Sequence, residues 1–265
     1  MRLGGLLYYL RSLPTLLRGV KNLGSVAAMA LSASHPTRRI QLADGSSFLV
    51  NTLLDVWVLK ETCLDRQYET FGETIQDGWT VVDIGGGWGD FAVSIGRRNP
   101  KCRVIAFEPF PPSIELFEKN TSLNQVENVQ LVAKAVGQQS GRMHLSTQNT
   151  EAVQLSTAQM DGGQGLMVEG ITLGDAFETL QIEVCDFLKM DCEGGEYEIL
   201  FSAPEDVIQR IKRICLETHD GVTQYSHRDL IEYLHKHGFQ TRFETNPVHS
   251  NLGMLYGYRL SGAAN

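Results

Sequence analysis

The 265-residue sequence has no C-x-x-C pair; its five cysteines (Cys63, Cys102, Cys185, Cys192 and Cys215) are scattered. That scatter argues against a zinc ribbon or a disulfide framework and predicts reduced thiols in a cytoplasmic protein. No apolar run approaches the roughly 18 residues that a membrane span needs. A secretory leader at "LGSVAAMALSAS" is disfavoured, because the stretch before it is long and already apolar. Internal repeats and low-complexity tracts are absent. Basic residues become scarce after the N-terminus: Arg2, Arg11, Arg18, Lys21, Arg38 and Arg39 all precede the first acid, Asp44. The whole chain carries −8, and the remainder after those six carries −14. A body that acidic is a poor partner for nucleic-acid phosphates.

What is present fits one globular core with a small appendage, at 42% hydrophobic and 20% charged residues. Residues 1–34 read as helical, with Leu3, Leu6, Leu7, Leu10, Leu13, Leu17 and Val20 near helical spacing and Pro14 and Gly19 as interruptions. Two uses fit this basic segment: packing on the body or a second copy, and lying on a membrane surface. "RRIQLADGSSFLV" predicts a hairpin turning at Asp44-Gly45, and a helix is expected through "DVWVLKETCLDRQYETFGETI".

From Asp77-Gly78 onward strands and helices alternate. "TVVDIG", "CRVIAFE", "VQLVAKAVG", "VCDFLKMD" and "IKRICLE" read as strands, with "FQTRFET" and "GMLYGYRL" as a closing antiparallel pair. Helices are expected over 89–98, "PPSIELFEKNTSLN", "GGEYEILFS" and "HRDLIEYLHKHG", and the less regular 146–170 insert reads as a lid or binding loop. The pattern predicts an α/β fold: a doubly wound, Rossmann-like, mostly parallel seven-stranded sheet with an antiparallel closing strand. Residues 1–76 would form an N-terminal helical and hairpin extension, and 77–265 the cofactor-binding domain.

"VVDIGGGWGDF" places four glycines within five residues, each costing about 0.5–1 kcal/mol relative to alanine in a regular element. In such sheets the ligand sits at the carboxyl ends of the strands where the first strand meets its helix. Gly87, Gly89 and Ala92 satisfy a dinucleotide spacing, with Glu108 about twenty residues on, so a nicotinamide-dependent oxidoreductase is one reading. The other is the pattern Asp83-x-Gly85-x-Gly87-x-Gly89, which resembles the nucleoside-binding turn of S-adenosylmethionine (SAM) dependent methyltransferases. There Glu108 would accept hydrogen bonds from both ribose hydroxyls. Trp88 would wall the cofactor pocket or simply cover the turn. A third class, a non-catalytic SAM-binding module, keeps the pocket without the chemistry.

Together with "FEPFPPSIELFEKNTSLN", "NVQLVAKAVG", "ITLGDAF" and "DFLKMDCEGGEYEIL", this turn resembles the FkbM family of methyltransferases over roughly Tyr68 to Leu216. Lys189, Asp191, Glu193, Gly194 and Glu196 fall where that family has its strand-to-helix motif, whereas Gly86-Gly87 and Gly174 depart from its pattern. The resemblance implies a SAM-dependent O-methyltransferase acting on a hydroxyl of a sugar, glycoconjugate or secondary metabolite. It implies a cofactor site of Asp83, Gly85, Gly87, Trp88, Gly89, Phe91, Glu108, Pro109 and Ala135.

A hydroxyl is a weak nucleophile, so a proton acceptor is required. Asp191, Glu217 and His219 end neighbouring strands on the rim of the glycine turn. His219 is favoured as the base because its ordinary pKa is nearest neutrality, although a hydrogen-bonded rim histidine is an equal reading. Asp191 and Glu217 could instead hold a divalent cation such as magnesium. Lys189 would pair with Asp191 or be a strand-edge lysine. Glu193 and Glu196 read as structural acids in a first helical turn, and His235 and His237 as solvated.

Overall fold

A computed structural model describes residues 12–32, 36–146 and 165–259. The first eleven residues of the expected N-terminal helix, and 147–164 of the expected insert, lie outside the described residues. Residues 12–19 are helical, and α1 (Leu23–Leu31) follows. The helix runs through Pro14 and ends at Gly19, as expected of the glycine, with the break at residues 20–22, where Val20 bridges to Leu42. The hairpin of β1 (Arg38–Gln41) and β2 (Ser47–Val50) turns at Asp44-Gly45 as expected, with Gly45 at φ +89°.

The single helix expected through 55–75 is three pieces: α2 (Leu53–Leu59), a π-helical turn (Lys60–Leu64) and α3 (Gln67–Phe71). α2 starts at a reciprocal cap between Thr52 and Asp55. The wider turn buries Lys60, whose Nζ lies 2.6 Å from Asp65 and donates to Ser12. Arg66 then adopts a left-handed conformation (φ +53°), which ends the run.

The main sheet contains β3 (Thr80–Ile84), β4 (Arg103–Phe107), β5 (Val129–Val132), β9 (Phe187–Met190), β10 (Arg213–His219), β11 (Gln240–Thr245) and β12 (Leu252–Tyr258). Its order is β11-β12-β10-β9-β3-β4-β5, and β12 alone runs against its neighbours. Crossovers run through α4 (Asp90–Arg98), α5 (Pro111–Leu123), α7 (Glu196–Ser202) and α9 (His227–Lys236). Successive residues point to opposite faces and both faces are covered. Val82, Ile84, Ile105 and Phe107 join one core, while Val81, Val104 and Phe187 join another with Ile40, Phe48 and Val50 of the hairpin.

"VQLVAKAVG" is not one strand. A tight turn, with Lys134 N–H donating to Val132 O at 2.8 Å, separates β5 from β6 (Ala135–Gly137). β6 joins a second sheet with β7 (Gly141–Ser146) and β8 (Gly165–Thr172), so the end of the expected insert is regular strand. Two short helices had no counterpart in the sequence reading: α6 (Leu173–Thr179), capped by Thr172 at Asp175 N–H, and α8 (Glu205–Gln209).

Candidate active site

β4 lies on one side of β3 and β9 on the other, and a crevice opens at their carboxyl ends. The cavity there has a volume of about 450 Å³. Its floor includes Gly85, Gly87, Trp88, Glu108, Asp191 and Glu217, and its far wall comes from residues 51–68 and from α5.

Glu108 ends β4 and is nearly fully buried. Its Oε2 accepts the Gly87 N–H (2.9 Å) and its Oε1 the Phe110 N–H (2.8 Å). Burial pushes this carboxyl up to about 7, with those two donors opposing. Each oxygen keeps a lone pair, so the carboxylate is fixed in place with acceptor capacity left for a diol.

The glycines serve different ends. Gly85 has φ +82°, and a Cβ there would sit 1.9 Å from Asp191 O. Gly89 packs on Phe117 and opens α4, and only Gly87 faces open space, the nearest atom to its virtual Cβ being Asp90 Oδ1 at 3.8 Å. The glycine pattern predicts a bare backbone for ligand approach; at Gly85 and Gly89 it is the protein's own packing that requires it. Trp88 lines the cavity and also meets Phe48 edge-on at 6.1 Å.

The other expected cofactor residues lie elsewhere. Asp83 is fully buried beside Lys189 Nζ at 2.9 Å, outside the cavity lining, and burial pushes it up to about 6 against the pull of that lysine. Phe91 is buried between Tyr68 (5.5 Å) and Phe187 (6.4 Å). Pro109 and Ala135 line a separate gap of about 20 Å³ behind the turn.

Lys189 meets neither expectation, since it does not pair with Asp191 and lies buried on a central strand: besides Asp83, its ammonium donates to Gly85 O at 2.7 Å. Asp191 instead accepts from Tyr68 Oη at 2.9 Å. Tyr68 reaches the site from α3, and no sequence signal singled it out. Asn120, also missed, is fully buried on α5, accepting from Leu49 N–H (2.7 Å) and donating to Trp88 O (2.9 Å). It ties the hairpin to the glycine turn.

Glu217 and Glu193 face the same cavity as Asp191. Burial, and then the Asp191 charge, raise both carboxyls, Glu193 to about 7. Glu196 accepts from Cys192 N–H (2.8 Å) and Gly194 N–H (2.9 Å), which shapes the tight loop before α7, where Glu193 takes φ +57°.

His219 is absent from the cavity lining; it lies 3.3 Å from Glu196 and 3.4 Å from Glu193. Burial opposes its charge, but Glu196, Asp191 and Glu193 outweigh that and push it up to about 10. The expected base is therefore an imidazolium at neutral pH. A raised folded-state pKa stabilises fully below about pH 6.5 and is lost as pH rises through about 10. Thermal melts should lose stability across that window, and His219→Gln should flatten the loss; equal slopes in the two proteins would contradict the ion pairing. Asp191, Glu196 and His219 offer ligand atoms within 4.8 Å of one another, but a metal there would compete with the backbone donors that Glu196 already serves.

Residues 78–241, more than half of the chain, match the Methyltransferase FkbM domain. The chain belongs to this family. The FkbM chain is 25% identical over 206 residues to Methyltransferase 1 of Beauveria bassiana, covering 69% of this chain and 82% of that one. It is 24% identical over 223 residues to the AMB antimetabolite synthetase AmbE of Pseudomonas aeruginosa, covering 69% of this chain but only 10% of that protein. Among solved structures, the METTL16 MTase domain superposes with a TM-score of 0.51 at 12% identity, covering 95% of this chain and 91% of that one, a likeness of fold alone. An FkbM methyltransferase of this fold implies SAM, and the nicotinamide reading falls. Among the described residues lining the cavity Lys189 is the only cation, and the carboxylates of Asp90, Asp191, Glu193 and Glu217 suit a sulfonium.

Proposed function

We propose that this FkbM chain is an O-methyltransferase that methylates a hydroxyl of a sugar, glycoconjugate or secondary metabolite. The observation carrying the proposal is that Glu108 and Asp191, each fixed by hydrogen bonds, face one cavity from opposite sides of β3. Glu108 would hold the ribose diol of SAM, with Gly87 giving the ligand room. SAM when bound supplies an electrophilic methyl group on its sulfonium. The protein's task is alignment, and removal of one proton from the acceptor hydroxyl.

Asp191 is the residue for that proton. It lines the cavity, Tyr68 orients it, and His219 is held as a cation. Glu217, raised by burial and by Asp191 beside it, carries a proton more readily and shares the rim. A magnesium ion bound by Asp191 and Glu217 is a second reading, supported by their facing the same cavity.

Calorimetry with SAM and S-adenosylhomocysteine, followed by a tritiated-methyl screen of sugars and hydroxylated metabolites, tests the proposal. Methyl transfer only to nitrogen or carbon would overturn it, and turnover unchanged by EDTA would discard the magnesium variant. Glu108→Ala is expected to weaken SAM binding by about 1.5–3 kcal/mol, the range for a hydrogen bond to a charged group; an unaltered Kd removes Glu108 from the ribose.

A further inference from the structure

The helix of residues 12–19 and α1 bury one face and leave the other apolar. Leu16, Leu23, Val26 and Met29 pack into the core shared with the hairpin, and a Cβ on Gly19 would lie 2.3 Å from Leu64. That inner face is satisfied, yet Leu13 is 43% exposed, Leu17 59% and Leu31 88%. α1 packs beside α2, where Leu53 and Leu54 are also exposed and Leu54 reaches the cavity. Five of the eight large hydrophobic residues exposed among the described residues therefore lie in this one layer.

Over residues 12–32 of this layer the charge is of one sign. Arg18 and Lys21 are exposed beside these leucines and have no ion pair among the described residues, and no acid occurs before Asp44. The rest of the chain is strongly acidic. Leucines beside unpaired cations on a surface helix and the break that follows it match an anionic bilayer, where apolar side chains enter the acyl boundary and the cations meet lipid phosphates and carboxylates. No helix among the described residues is long and apolar enough to cross a membrane, so the contact would be peripheral.

We propose that the N-terminal helical layer, presenting Leu13, Leu17, Arg18, Lys21 and Leu31, docks this protein on an anionic lipid surface with the cavity mouth beside it. The inference stands apart from the choice of acceptor.

Sedimentation of the full chain with phosphatidylserine-containing vesicles and with pure phosphatidylcholine vesicles tests it. The chain is expected to pellet with the first and stay in the supernatant with the second. Each cation is worth about fivefold in partitioning, equivalent to about 1 kcal/mol, so Arg18→Glu with Lys21→Glu should abolish pelleting. Leu13→Glu with Leu17→Glu should abolish it too. SAM calorimetry on the same variants reports whether the body is folded, because none of these residues lines the cavity. Recovery of the full chain in the supernatant with both vesicle types overturns the proposal. So does equal pelleting with both types, or a dimer that Leu17→Glu dissolves in the absence of vesicle binding, which would assign the face to a second copy.

Discussion

Replacing Asp191 by Asn is expected to lower methyl transfer by about 10²- to 10⁴-fold, the usual worth of a positioned proton acceptor. The change keeps the size of the side chain and removes its capacity to take a proton. The loss should fall on kcat, with the Kd for SAM changed little, because the proposed function gives the nucleoside to Glu108 and not to Asp191. Tyr68 holds one Asp191 oxygen at 2.9 Å, and no donor to the other is found among the described residues, so that oxygen is the one left for substrate. Single-turnover rates with saturating donor and an acceptor from the screen check this. If the rate holds, Glu217 is the next candidate on the same rim, whereas His219 stays excluded by its charge.

Gly85→Ala should destabilise the fold by about 2–5 kcal/mol, the sum of left-handed strain of about 1–2 kcal/mol and overpacking of about 1–3 kcal/mol. Gly85 has φ +82°, and the atom that a methyl would meet is a main-chain oxygen, Asp191 O at 1.9 Å. A flexible side chain could move aside; this carbonyl cannot without shifting the end of β9. The Asp191 N–H also donates to Ile84 O at 3.0 Å, so β3 and β9 grip each other on both sides of the position. Urea unfolding of the two proteins measures the loss. Gly87→Ala offers the contrast: its φ of +52° still costs strain, but nothing in the protein stands in the way of the methyl. It should impair SAM binding more than stability, and equal stability losses for the two variants would contradict this division of labour.

The parallel core was legible because its strands are buried on both faces and read as apolar runs between glycine and aspartate turns. "TVVDIG" and "CRVIAFE" end where β3 and β4 end to within a residue or two. The position of Glu108 at the cavity was legible for the same reason: a strand-end acid about twenty residues after the glycine turn has a fixed place. The rest depended on long-range contacts. A π turn and a left-handed Arg66 divide what reads as one helix, and the buried Lys60 meets Asp65 and Ser12 there, partners that local pattern does not reveal. His219 was read from its ordinary pKa, and two carboxylates from another loop reversed its role. Tyr68 and Asn120 act on partners 123 and 71 residues away, a separation for which local pattern has no signal.

β3 and β9 touch through main chain at Gly85 and Asp191, while the opposite wall, residues 51–68, lies outside the matched domain. Apart from Tyr68, which holds Asp191 from that wall, changes there would leave the proposed spacing of methyl donor and base untouched. On the proposed function, substitutions at Leu54, Val58 or Glu61 would retune which acceptor enters, whereas a fragment cut to residues 78–241 would lose this wall and the hold of Tyr68 on Asp191.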